Sequence, residues 1–98
     1  MARSGRIVIP GVVHHITHRG NNGEAVFFSD GDRRRYITVL GEACKTCGVR
    51  VIGNCLMTNH VHLIVVPADK TSLARAMKRS QGEHTLYINE EQGRRGHL

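Results

Sequence analysis

The apolar positions of the chain fall into segments with the period of a strand or of a helix. Val12 to His18 is rich in β-branched residues and reads as a strand. Arg19-Gly20-Asn21-Asn22-Gly23 follows as a turn-forming loop. Ala25 to Phe28 is a short apolar run and a candidate return strand. Ser29-Asp30-Gly31-Asp32 then offers helix N-caps. Beyond it Tyr36, Ile37, Leu40, Ala43, Cys44 and Cys47 trace one helical face, and Gly48 suits a C-cap.

Val49 to Met57 reads as a second strand and His60 to Val66 as a third, ended by Pro67. The short link at Thr58-Asn59 makes the two a β-hairpin. Thr71 or Ser72 caps a second helix. Its inner face carries Leu73, Met77, His84 and Tyr87 or Ile88, with Gly82 a weak point in the middle. The tail from Gln92 to Leu98 is basic and glycine-rich, without periodicity. The order strand, helix, strand, strand, helix predicts an α+β, ferredoxin-like sandwich. In that plan the first and third strands are neighbours and both helices cover one face. A last sheet element, expected after the second helix, is missing.

The chain has 98 residues, enough for one small domain. Two Phe, two Tyr and no Trp make a thin core, so a partner chain or further sequence is expected to complete it. No apolar run approaches the ~20 residues of a membrane helix. The N-terminus lacks the pattern of a signal peptide. Three cysteines, Cys44, Cys47 and Cys55, form no disulfide framework, which suits a reducing cytoplasm. Cys44-x-x-Cys47 is half of a zinc pattern but lies on the apolar helical stripe, so a core role is expected.

Charge changes the picture. Fourteen Lys and Arg against eight Asp and Glu give a net charge of +6. A strongly basic domain is a nucleic-acid candidate, because each phosphate it neutralises releases counterions. Basic residues cluster at Arg33-Arg34-Arg35, at Arg75/Lys78/Arg79 and at Arg94-Arg95.

The sharpest motif is Asn59-His60-Val61-His62. Side chains alternate along a strand, so His60 and His62 share a face. Two imidazoles on one rigid strand are a base for a metal site, while an exposed pair on an open sheet face is the plain alternative. Spacing alone leaves both open.

The segment from Cys55 to Val65 resembles the histidine–hydrophobe–histidine (HUH) strand of single-tyrosine transposases. These include the insertion-sequence-200-like enzymes and the REP-associated tyrosine transposases. His15-Ile16-Thr17 with Arg19-Gly20-Asn21-Asn22 resembles the family's first strand and loop, and Phe27 to Tyr36 the entry to its first helix. Tyr87-Ile88-Asn89 and the stretch from Gly93 to Leu98 resemble the end of its second helix and the basic stretch beyond. The resemblance implies a domain that cuts and rejoins single-stranded DNA. His60 and His62 would hold a divalent metal, Mg²⁺ or Mn²⁺, and a tyrosine would form a 5′-phosphotyrosine intermediate. It also implies a homodimer.

In the family the nucleophile follows the Gly-His-Leu stretch within which this sequence stops. The expectation is therefore a domain truncated before its nucleophile helix. Tyr36 falls on the first helix's apolar face. Tyr87, with Glu91 four residues later, is a weak substitute, and packing or DNA contact is the preferred role. His15 or Thr17 would line the site if the first strand neighbours the third. Candidate nucleic-acid contacts are Arg19, Asn21 and Asn22 in the loop and Lys78 and Arg79 on the second helix. Two alternatives stand beside the transposase reading. One is a non-catalytic module binding single-stranded or hairpin DNA. The other is an RNA-binding ferredoxin-like module, disfavoured because the strands lack an aromatic platform.

Overall fold

The computed structural model describes residues 7–93. The Arg94-Arg95 cluster, the Gly-His-Leu stretch and the first six residues lie outside the described residues. Strand β1 spans His14–Arg19, helix α1 Asp30–Cys47, strand β2 Val49–Leu56, strand β3 His60–Pro67 and helix α2 Ser72–Gln92. The strands form one antiparallel sheet in the order β1-β3-β2, so the first and third strands are neighbours as expected. The α+β expectation holds. Among the described residues no helix is long and apolar enough to cross a membrane.

Helix α1 begins where its cap chemistry says it should. Ser29 Oγ accepts from Asp32 N at 3.1 Å, satisfying one orphan amide of the first turn. Asp32 answers by accepting from Phe28 N at 2.8 Å, close to a reciprocal capping box. Gly48 ends the helix in the left-handed region at φ 79°, with its N–H on Cys44 O. Ser29→Ala is expected to cost about 1 kcal/mol in urea denaturation. Helix α2 is capped differently from the expectation. Thr71 makes no side-chain cap bond, and Asp69 Oδ1 instead accepts from Thr71 N and Ser72 N, both at 2.8 Å. Gly82 leaves α2 continuous because it lies on the solvent side.

The core lies between the helices and one face of the sheet. Val61, Leu63 and Val65 of β3 are buried there against Tyr36, Leu40, Leu73, Ala76 and Ile88, among others. Two further local expectations need correction, and the core role expected of the cysteine pair does not. Ala25 to Phe28 is not a strand: Val26 N and Phe27 N both reach Thr58 O, so the segment crosses the hairpin end instead of forming a ladder. Val26 and Phe27 are nonetheless fully buried. On α1, Val39 is buried while Ile37 is 39% exposed, a small rotation of the inward face. Cys44 is buried in the core and Cys47 packs against it. Burial, with Cys47 nearby, pushes the Cys44 thiol up to about 11, which disfavours the thiolate a metal would need.

His84 of α2 is a buried core residue ringed by Phe27, Tyr36 and Tyr87. Its Nε2–H donates to Val26 O at 2.7 Å, which leaves Nδ1 a buried lone pair without a partner. Burial lowers its pKa, the Val26 bond and Asp32 oppose that, and Arg35 adds to it. His18 is lowered in the same sense, chiefly by burial. An unfolded chain binds more protons than the folded one below the ordinary histidine pKa of about 6.5. Stability is therefore expected to be full above that pH and to fall as the pH drops through the lowered folded values. Urea midpoints taken between pH 7.5 and 5 check this, and His84→Phe should flatten the slope.

Candidate functional site

The alternation of β3 divides its side chains between two environments. Val61, Leu63 and Val65 go under the helices, so His60 and His62 point to the uncovered face. On that face Thr17 of β1 stands opposite His62 and Arg19 opposite His60. Cys55 of β2 flanks His62 from the other side. His15, diagonal to His62, stacks on it with ring centroids 5.2 Å apart. His15 Nε2 lies 3.0 Å and Thr17 Oγ1 3.3 Å from His62 Nδ1. Both residues expected beside the third strand, if the first neighbours it, stand against His62. The His60 and His62 rings meet edge-on at 4.8 Å. Partial burial, the Arg19 guanidinium and His62 together lower the His60 pKa, which favours the neutral imidazole that binds metal.

The arrangement fits a divalent ion as a two-nitrogen half-site. His60 Nδ1 is taken up by Asn59 Oδ1 at 2.8 Å and His62 Nδ1 by its β1 partners. The Asn59 oxygen leaves His60 Nε2 for a ligand, and His62 Nε2 is left likewise when its Nδ1 carries the proton, the usual division of labour in metal-bound histidines. Among the described residues no set of three or more His, Cys, Asp or Glu stands close enough to hold an ion. The remaining positions of a shell would fall to water and to phosphate oxygens, as hard divalent ions accept.

The other candidates divide between the two sides of the sheet. Arg19 ends β1 beside His60, and Asn21 and Asn22 follow in a 3-10 turn at Asn21–Gly23. All three share one end of the molecule with the histidines. Lys78 and Arg79 sit on the solvent side of α2, across the sheet from the histidines, and Arg79 is paired with Glu83 at 3.1 Å. The Arg33-Arg34-Arg35 run does not form one patch. Arg33 Nε donates to Leu56 O at 3.2 Å, while Arg35 lies over the Tyr87 ring at 4.6 Å. Tyr36 is buried at 1% exposure. Tyr87 is on the helix side, its pKa raised first by a hydrogen bond to Asp32. Neither tyrosine stands on the histidine face.

Two contributors stand in motifs that the sequence displays, in roles that emerge only with the fold. Ser29-x-x-Asp32 is a capping-box spacing, which marks Asp32 as structural. Asn59 opens the histidine motif, yet its bonds depend on a loop whose position only the fold reveals.

A search of the curated proteins finds no match to this chain. The family described as Transposase IS200 like matches residues 9–97. That span takes in the histidine strand, the loop beside it and both helices, and on it the chain belongs to the IS200-like transposase family.

Proposed function

We propose that the uncovered face of the sheet is the metal-dependent, DNA-handling face of a single-tyrosine transposase domain. Transposases of this family act on DNA and are generally metal-dependent. The observation that carries the reading is the pair His60 and His62, held on one face with both Nδ1 atoms engaged. A bound Mg²⁺ or Mn²⁺ would polarise the scissile phosphate as a Lewis acid. His60 and His62 would hold the ion, and Arg19 brings positive charge to the approaching phosphates.

The proposed substrate is single-stranded or hairpin DNA, cut and rejoined through a 5′-phosphotyrosine. In the forward step a tyrosine oxygen bonds to phosphorus and the 3′ oxygen leaves with the electron pair. The reverse step rejoins the strand. Tyr36 and Tyr87 lie on the wrong side of the sheet, so we assign the nucleophile to a tyrosine outside residues 1–98. The same geometry supports a second reading, a module that binds DNA without cutting it. The uncovered face carries His, Thr, Arg and Cys with no Phe or Tyr, which argues against an RNA-stacking platform. Free cysteines suit the cytoplasm. The exposed Ile7, Val13 and Ile52 offer apolar surface for a second copy in a homodimer.

Fluorescence anisotropy with a labelled single-stranded oligonucleotide tests the proposal. Binding should weaken steeply with salt. Arg19→Ala should reduce affinity several-fold more than Lys78→Ala, because only Arg19 shares the histidine face. Equal losses, or no binding at low salt, would contradict it. A protein–DNA adduct on a denaturing gel with residues 1–98 alone would overturn the assignment of the nucleophile.

A further inference from the structure

The hairpin residue Asn59 joins two parts of the uncovered face. Its backbone oxygen accepts from Gly20 N at 2.9 Å. Its side-chain Nδ2 donates to Gly23 O at 3.4 Å, and its Oδ1 stands 2.8 Å from His60 Nδ1. We infer that Asn59 is a positioning residue, holding His60 in the Nδ1–H tautomer while tying the Arg19–Gly23 loop to the same strand end.

The tautomer follows from the chemistry of the partners. A peptide carbonyl only accepts, so the amide nitrogen of Asn59 must be the atom that faces Gly23 O. Oδ1 then faces the imidazole. An oxygen without a hydrogen can meet Nδ1 at this distance only as an acceptor, so Nδ1 carries the proton. The lone pair of the neutral ring is left on Nε2. One amide thus uses both of its ends, one on a candidate ligand and one on the loop that carries Arg19, Asn21 and Asn22. A strand gripped by that loop is held beside the nitrogen that faces the site.

The consequence for metal rests on the proposed function. The tautomer and the loop tether do not, and the experiment separates them. Nitrogen-15 correlation spectra of the histidine rings, Mn²⁺ titration and amide hydrogen exchange are compared for the native chain, Asn59→Ala and Asn59→Asp. The aspartate variant keeps an acceptor for His60 but has no donor for Gly23 O. In the native chain His60 is expected as Nδ1–H. Asn59→Ala should move it toward Nε2–H and weaken Mn²⁺ binding about tenfold. Asn59→Asp should restore the tautomer and the Mn²⁺ affinity. Both variants should lose exchange protection at Gly23 and Glu24. The His84 ring signals, on the other side of the sheet, report that each variant is folded.

A native His60 protonated at Nε2, an unchanged tautomer in Asn59→Ala, or no rescue by Asn59→Asp would overturn the inference. If the tautomers behave as expected while Mn²⁺ affinity is the same in all three proteins and in His60→Ala/His62→Ala, the positioning role stands and the metal reading falls.

Discussion

Calorimetry of the His60→Ala/His62→Ala variant is expected to show Mn²⁺ affinity lowered about 100-fold, which is roughly 2.7 kcal/mol of binding. The magnitude comes from how few protein donors the site has. Among the described residues no third protein donor joins the two imidazole nitrogens to sustain partial binding. Each single variant should already show most of that loss, because one nitrogen does not chelate. The fold should survive. Both side chains point away from the core, and the buried faces of β3 are untouched. An unchanged melting temperature with lost metal binding is the expected pair of results. Imidazole favours Mn²⁺ over Mg²⁺, so the native chain should bind Mn²⁺ more tightly.

Gly20→Ala is expected to destabilise the domain by about 2–3 kcal/mol in urea denaturation. The backbone at Gly20 is ordinary, with φ −66° and ψ 151°, so conformational freedom is not the reason. Space is. A Cβ there would collide with the carbonyl oxygen of Glu24 and press on Val26 Cγ1 at 3.0 Å. The carbonyl belongs to the backbone of a tight turn, in which Gly23 N bonds to Gly20 O and Glu24 N to Asn21 O. Relief requires moving that turn, and Val26 beyond it is a core residue. The displaced turn carries Asn21 and Asn22 and adjoins Arg19 at the end of β1, so DNA affinity should fall together with stability. A variant as stable as the native chain would show that the loop gives way freely.

The parts of the fold legible in the sequence are those set by local chemistry. The alternation from His60 to Val66 places the histidine pair on one face without knowledge of any neighbour. Ser29 and Gly48 bound α1 because caps act within a single turn. Legibility ends where a contact depends on a distant partner. Val26 and Phe27 are apolar because they plug the core beneath the hairpin end, yet an apolar run of four reads equally well as a strand. His15 reaches His62 through the β1–β3 register, which no local pattern states. Lys78 and Arg79 raise the charge count as much as Arg19 does, and only the layering puts them across the sheet from the histidines. Asn59 reads as a hairpin residue until the loop it holds is in place.

The proposed metal site places a divalent ion on the uncovered sheet face at His60 and His62. Paramagnetic broadening by Mn²⁺ in an amide spectrum tests it most directly, because the loss of signal falls off with distance from the ion. Low Mn²⁺ is expected to broaden selectively the amides of residues 59–63 and 15–19, and to leave the solvent-side turns of α2 sharp. Broadening that is uniform, or that centres on Asp69, Glu83 or another surface carboxylate, would contradict it.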